Sequence, residues 1–119
     1  MTPSPSRYSP VRAVNIGEAT FLYVSGLTAG NDHPFDIKDQ TRVIFEKMAS
    51  LLREHGGKLD DLVKISAYLT DIREYDLYNA ERNRIFQSVE PPPASTGVEA
   101  RLSAPWKRIE IDAIAVVRA

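Results

Sequence analysis

The chain has 119 residues, with 43% hydrophobic residues, 26% charged residues and a formal net charge of −1. This length is enough for one domain around one hydrophobic core. The charge argues against sequence-independent nucleic-acid binding, which needs a basic face. Because the chain has no cysteine, disulfides, thiolate metal sites and cysteine nucleophiles are excluded.

Histidine and apolar content limit the remaining classes of protein. The two histidines, His33 and His55, stand far apart and give no metal-ligand spacing, so we expect no metal and no other cofactor. We expect His33 to be a solvent-exposed loop residue, with a proton-donor role as the alternative. No apolar run has the length of a signal peptide or a membrane span, which predicts a cytoplasmic protein.

The N-terminal third of the chain predicts a flexible segment, two strands and a loop. Residues 1–10 are rich in proline, serine and threonine and predict a flexible lead-in to a single domain over residues 11–119. Residues 11–17 and 20–25 are β-prone and predict a hairpin. Residues 26–35 contain glycines, an Asn-Asp pair and a proline, which predict a loop.

The middle of the chain predicts a long helix. Asp36 can accept hydrogen bonds from the first backbone N–H groups of a helix, and is therefore its predicted N-cap. Ile44, Met48 and Leu52 follow at helical spacing and form an apolar stripe. The glycine pair at 56 and 57 predicts the end of this helix.

The C-terminal half predicts a second helix among three strands. Residues 62–69 are largely apolar and predict a buried strand. Asp71 and Glu74 resemble a capping pair that opens a helix to about Gln87, and the three prolines at 91–93 end it. Residues 96–102 and 108–117 predict the last strands.

The predicted element order is ββαβαββ, which indicates an α+β fold with both helices on one face of a sheet. The other face then lacks cover. Because apolar residues lie on both faces of a sheet of this size, we expect the uncovered face to be buried in an oligomer.

Four segments carry a more specific pattern. They are Phe-Leu-Tyr-Val-Ser-Gly at 21–26, Asp-Gln-Thr-Arg at 39–42, Gly-Gly-Lys-Leu-Asp-Asp-Leu-Val-Lys at 56–64 with Tyr-Leu-Thr-Asp at 68–71 and Tyr-Asn at 78–79, and the C-terminal pair of segments at 91–100 and 107–113. In this order they resemble the Rid family, also called YjgF/YER057c/UK114. Its best-known members, the RidA-like deaminases, hydrolyse reactive enamines and imines.

The resemblance implies a chorismate-mutase-like fold assembled as a homotrimer. The uncovered sheet faces would meet in a central barrel, and small-molecule clefts would lie between neighbouring subunits. In members that deaminate, an arginine binds the substrate carboxylate and a glutamate near the C-terminus positions the hydrolytic water.

Glu110 matches the family's catalytic glutamate, because it stands in an Ile-Glu-Ile segment near the C-terminus. Its role would be to orient a water, or to move a proton, at an iminium carbon. The flanking Ile109 and Ile111 predict a partly desolvated carboxylate. The alternative is an outward-facing strand residue beside Asp112.

Ser95 stands where the family carries its arginine, counted back from Glu110 without gaps. A hydroxyl cannot make the bidentate ion pair that a guanidinium makes with a carboxylate. Arg101 would share the face of Ser95 but lie about 20 Å away along a strand. Arg12, Arg108 or a neighbouring subunit's arginine remain possible donors. Otherwise the substrate lacks the usual carboxylate, or the reaction differs.

Five further positions match residues that surround the family's cleft. Gly97 would enlarge the cleft or expose backbone N–H groups, with a strand bulge as the alternative. Tyr8 would reach the cleft from the N-terminal segment, or else be an exposed side chain. Ser25 and Gly26 would present backbone groups to the ligand, or simply begin a turn. Asn79 would place its amide near the cleft, or else be solvated.

Three functions follow from these residues. The first is an enamine or imine hydrolase, or a tautomerase, acting on a small and specialised metabolite through Glu110. The second is a non-catalytic trimer that binds a small metabolite in the same clefts. The third, endoribonuclease activity, is disfavoured by the acidic balance and by the lack of a histidine pair for phosphodiester chemistry.

Overall fold

The computed structural model describes residues 3–31 and 36–119. His33 therefore lies outside the described residues, as do the first two residues of the lead-in. The elements, in chain order, are β1 Val11–Ile16, β2 Ala19–Leu27, α1 Ile37–Arg53, β3 Leu62–Leu69, α2 Tyr75–Ile85, β4 Ala94–Glu99 and β5 Ile109–Arg118. The predicted ββαβαββ order and the α+β class are confirmed.

The strands form one sheet in the order β1-β2-β5-β3-β4. All neighbours are antiparallel except β3 and β4, which run parallel. Helix α2 is the crossover that a parallel pair requires. As a result β4 forms one edge of the sheet beside α2, while β5 lies between β2 and β3.

Alternation along β5 defines the two faces of the sheet. Ile109, Ile111 and Ala113 are buried and belong to the core, together with apolar residues of both helices. Glu110 and Asp112 point to the opposite side. Both helices therefore cover one face of the sheet, which we call the helix face.

The opposite side, which we call the open face, has no helix over it. Tyr23 of β2 is 44% exposed there, Val98 of β4 is 42% exposed, and Ile16 of β1 is also exposed. The expected uncovered face with apolar side chains is thus present in the single chain. Apolar side chains exposed together on a sheet face are typical of interaction surfaces.

The predicted caps and boundaries hold for α1 and shift for α2. Asp36 accepts hydrogen bonds from the backbone of the first turn of α1. Asp71 caps a short 3-10 turn, Ile72–Glu74, and α2 begins only at Tyr75. The predicted capping pair was wrong, because the carboxylate of Glu74 forms an ion pair with Arg108 at 2.9 Å instead.

The fourth strand also lies earlier than its residues suggest. It spans Ala94–Glu99, rather than 96–102, because parallel pairing with residues 64–69 of β3 fixes its bounds. Within residues 3–31 and 36–119, neither helix has the length and apolar character needed to cross a membrane.

Candidate functional site

The predicted site residues fall into two clusters, and the first lies at the helix face beside α2. Ser95 pairs in register with Ile65, and Gly97 pairs with Ala67; both partners are buried under the helices. Ser95 and Gly97 therefore share this face, as their spacing predicts. Asn79 approaches them from α2. We call these residues, with Arg82, the helix-face cluster.

Gly97 is packed against an aromatic ring. A Cβ atom at this position would lie 2.8 Å from Cε2 of Tyr75. The space left by the missing side chain is filled by the Tyr75 ring and does not add to a cleft within this chain.

A cleft of about 410 Å³ opens between the end of α2 and the start of β4. Ser95 lies on one wall and Arg82 on another, with Glu90 and Pro92 completing the rim. A long side chain at position 95 would enter this cleft. Ser95 instead leaves room there.

Arg82 is the residue of this cluster that the sequence comparison missed. Its Nη1 atom lies 3.4 Å from Ser95 Oγ, and its Nη2 atom donates to the side-chain oxygens of Asn79 and Asn83. The guanidinium carbon lies 5.4 Å from the ring centroid of Tyr78, within cation–π range. Helical spacing was the available signal, because Arg82 follows Asn79 by three residues and Tyr78 by four.

The Tyr78 side chain forms the floor beneath Arg82. It is fully buried, and its hydroxyl has no hydrogen-bonding partner in the described part of the chain. Burial raises the pKa of Tyr78, and the nearby positive charge of Arg82 opposes that shift. The hydroxyl thus stays protonated at neutral pH.

None of the arginines considered from sequence reaches Ser95 within this chain. Arg108 is paired with Glu74. Arg101 lies beyond the end of β4, beside a different cavity. Arg12 is on β1, at the far edge of the sheet from β4.

The second cluster lies at the end of β2, where the pairing with β5 is irregular between Val24 and Leu27. The Ser25 hydroxyl donates to the Ser9 carbonyl at 2.7 Å, and the Ser25 N–H donates to the Pro10 carbonyl at 3.0 Å. These bonds hold the end of the lead-in against β2, and they use both the hydroxyl and the backbone N–H of Ser25 as donors. Tyr8, next to this contact, is 71% exposed.

Glu110 extends this second cluster on the open face. A Cβ atom at Gly26 would lie 2.8 Å from Glu110 Cδ, so the carboxylate rests directly against the Gly26 backbone. Glu110 is half-buried, as predicted, but Ile109 and Ile111 are not the cause, because both point into the core on the other face. We call Tyr8, Ser25, Gly26 and Glu110 the open-face cluster.

Tyr68 of β3 stands opposite Glu110 in the sheet register. Its hydroxyl donates to Asp112 at 2.9 Å. That hydrogen bond, followed by burial and the negative charges of Asp112 and Glu110, raises the pKa of Tyr68. Two carboxylates therefore flank a phenol that keeps its proton at neutral pH.

The two clusters face opposite sides of the sheet. Glu110 points to the open face, whereas Ser95 and Gly97 point to the helix face. One chain thus does not bring the matched residues of the family's cleft together. Across residues 3–31 and 36–119, no group of three or more histidine or acidic side chains could hold a metal ion.

Fold and clusters together define an α+β protein with an uncovered sheet face and a cleft beside its edge strand. The model of the family described as Endoribonuclease L-PSP matches residues 2–117. Protein mmf2, mitochondrial, of Schizosaccharomyces pombe is 37% identical over 102 residues, covering 79% of this chain and 78% of that protein. The chain belongs to this family, which is also known as YjgF/YER057c/UK114 or Rid.

Solved structures agree with this assignment. The crystal structure of Rv2704, a YjgF/YER057c/UK114-family protein from Mycobacterium tuberculosis, matches with a TM-score of 0.75 and 33% identity, covering 89% of this chain and 85% of that one. TdcF of E. coli, solved with bound serine, matches with a TM-score of 0.79 over 96% of this chain and 91% of that one. At 23% identity it shows the shared fold alone.

One relative is named for a reaction. The 2-iminobutanoate/2-iminopropanoate deaminase of Dermatophagoides farinae is 27% identical over 112 residues, covering 89% of this chain and 84% of that protein.

Proposed function

We propose that the protein is an enamine or imine hydrolase, or a tautomerase, whose active site forms between two subunits of a homotrimer. The observation that carries the proposal is the division of the matched residues between two faces of the sheet. An open-face cluster of one subunit, set against the helix-face cluster of the next, would assemble Glu110, Ser95 and Asn79 around one cleft.

Burial of the apolar side chains on the open face would drive assembly of the proposed trimer. Exposed Tyr23, Ile16 and Val98 lie on it, and edge strand β4 has a neighbour on one side only. Burial of apolar surface stabilises association by roughly 25 cal/mol per Å² before the costs of ordering. In the proposed trimer these faces line the central barrel.

Hydrolysis of an enamine or imine needs only one catalytic carboxylate in the cleft. An enamine is first protonated on carbon to give an iminium ion. Glu110 then orients a water and takes its proton as the oxygen attacks the iminium carbon. The amino group of the resulting carbinolamine takes up the proton held by Glu110 and leaves as ammonia, while the hydroxyl proton returns to solvent and replaces the one consumed at carbon, so that a carbonyl compound remains. A tautomerase would use the same proton transfer without the water. The name of the Dermatophagoides farinae relative supports the imine substrate class.

The test is ammonia release from imines that an amino-acid oxidase generates in the same vessel. We expect the wild type to accelerate release, and Glu110→Gln to lose about a hundredfold or more of that acceleration. Glu54→Gln, an exposed residue at the end of α1, removes the same charge and is the matched control. An unchanged rate in Glu110→Gln would exclude Glu110 as the catalyst.

A metabolite-binding trimer without catalysis is the alternative. It would bind a small ligand in the same clefts and show no turnover that Glu110→Gln could remove. The weaker endoribonuclease alternative is suggested by the description of the family model. Absence of RNA binding at low ionic strength would exclude it, because such binding is strongest there.

We keep the cytoplasm as the proposed location. Two relatives, mmf2 of Schizosaccharomyces pombe and MMF1 of Saccharomyces cerevisiae, are named as mitochondrial. Fractionation of cells that make the tagged full chain distinguishes the two compartments.

A further inference from the structure

Among the residues that the structure describes, no carboxylate forms an ion pair with Arg82. Arg42, Arg73, Arg84 and Arg108 each form an ion pair with an aspartate or a glutamate. Within the described ranges, Arg82 contacts only neutral acceptors: one serine hydroxyl and two asparagine amides. Its positive charge is therefore held in place without being neutralised.

The contacts of Arg82 orient its guanidinium and leave donors free. A guanidinium has five N–H donors in a rigid fork. Three hydrogen bonds join it to Ser95, Asn79 and Asn83, which leaves two donors available to a ligand. The Tyr78 ring beneath it restricts its movement further.

The guanidinium of Arg82 lies next to Ser95, the position at which the family resemblance places an arginine. Ser95 Oγ lies 3.4 Å from Arg82 Nη1, and both side chains line the cleft of about 410 Å³. The short side chain of Ser95 on β4 leaves room at this point for the guanidinium that comes from α2.

We propose that Arg82 is the carboxylate-binding residue of this cleft, and that its ligands are small 2-imino or 2-oxo carboxylates. This rests on the proposed function for the reaction, but the binding role of Arg82 is separate from turnover. The guanidinium keeps its positive charge and free N–H donors on Nε and Nη1, with which it can donate hydrogen bonds to a carboxylate; a serine hydroxyl offers no such charge.

Glu90 tunes the same cleft. Glu90 lines the cleft, and no ion pair joins it to Arg82, so its negative charge should oppose the entry of anions. Removing its charge by Glu90→Gln should tighten carboxylate binding, whereas removing the charge of Arg82 should weaken it. Opposite effects from two residues of one cleft are not expected from a general loss of folding.

The test is calorimetric titration of the assembled wild-type protein with 2-oxobutanoate, the product that hydrolysis of 2-iminobutanoate gives. The uncharged 2-oxobutanamide is the matched probe without a carboxylate. We expect Arg82→Gln to weaken 2-oxobutanoate binding about 10- to 100-fold and to leave the weak binding of the amide unchanged. Arg53→Gln removes the same charge from the exposed end of α1 and should bind as the wild type does.

A double variant that moves the arginine from residue 82 to residue 95 gives a second, more specific test. The double variant Arg82→Ala with Ser95→Arg moves the guanidinium from α2 to β4, and should restore binding that Arg82→Ala alone has lost. Arg82→Lys keeps the positive charge but loses the planar guanidinium. Its affinity for 2-oxobutanoate should lie between those of the wild type and Arg82→Ala.

The outcomes separate this inference from the proposed function. If 2-oxobutanoate binds Arg82→Gln as tightly as the wild type, or does not bind the wild type at all, the role of Arg82 is overturned whatever the ammonia assay gives. If binding depends on Arg82 while no imine is hydrolysed, the carboxylate site stands and the proposed reaction fails.

Discussion

The carboxylate of Glu110 lies against the backbone of Gly26, with no room for a methyl group between them: a Cβ at residue 26 would come within 2.8 Å of Glu110 Cδ. The Ser-Gly pair near the end of β2 thus has a steric explanation. The glycine is needed because of its neighbour on β5, and Gly26 is not among the glycines with positive φ.

Gly26→Ala should therefore separate the placement of Glu110 from the stability of the fold. The added methyl group pushes aside a flexible side chain, so we expect a loss of less than about 1 kcal/mol in the free energy of unfolding. Imine hydrolysis should fall about tenfold or more, because the carboxylate leaves its position. Urea unfolding and ammonia release measure the two effects.

Gly17→Ala is the control for this variant. Gly17 has a φ of +60° and no atom within 4 Å of an added Cβ. The substitution should cost about 1 kcal/mol of stability through backbone strain and leave activity intact. An active Gly26→Ala enzyme would mean that Glu110 tolerates displacement or has no catalytic role.

The contact between Gly97 and Tyr75 predicts a coupled pair. Gly97→Ala should destabilise the wild type by about 1–3 kcal/mol, because its methyl group meets the Tyr75 ring at 2.8 Å. In a Tyr75→Leu background the same change should cost less. A double-mutant cycle in urea measures the coupling, and additive effects would show that the ring moves away freely.

Acid should weaken the fold through Glu81, which is 2% exposed. Hydrogen bonds from Arg84, at 2.9 and 2.5 Å, hold the pKa of Glu81 below its ordinary value of 4.5. Because the folded pKa is the lower one, this pair stabilises the protein above about pH 4.5, and its contribution is lost as pH falls through the folded pKa.

Arg84→Gln should lower the urea midpoint at neutral pH by leaving a buried carboxylate without its partner. The difference from wild type should shrink as pH falls through the lowered pKa of folded Glu81. Arg73→Gln breaks an exposed ion pair with Asp71 and should change the midpoint little at either pH. A pH-independent difference for Arg84→Gln would contradict the role given to Glu81.

Assembly through the open face predicts the effect of a charge placed there. Tyr23→Glu should shift the mass of the particle from trimer to monomer, because the carboxylate is costly to bury in an interface. Arg12 faces Tyr23 in the register, so the monomer can stabilise the new charge and stay folded. Leu77→Glu changes a residue of α2 that is 55% exposed, and is the control.

Light scattering coupled to size-exclusion chromatography measures these masses. If Tyr23→Glu keeps the mass of the wild type, the open face is not the assembly surface. If the wild type itself is monomeric, the inter-subunit cleft fails with it.

Element order and the uncovered face could be predicted because periodicity reports burial directly. Apolar spacing in α1 and alternation in β5 each follow from which side faces the core. The boundaries of α2 and β4 could not be predicted in this way. Glu74 is drawn away by Arg108, and β4 takes its bounds from pairing with β3.

The candidate site was predictable only in part, for a related reason. A linear pattern matched Ser95 and Glu110, but it could not show that they lie on opposite faces, because β3 stands between their strands. Nor could counting along the sequence connect Ser95 with Arg82, which a crossover brings back beside it. Both relationships depend on the parallel pairing of β3 and β4.

The cation and the two amides that orient it all lie within residues 79–83, on a single helical turn. The proposed cation and the two amides that orient it therefore come from one short contiguous segment, next to the sheet but not part of it. Exchanging that segment between relatives would add or remove the cation and leave the strands intact. The charge of the cleft can thus change through α2 without a change in the strand that carries Glu110.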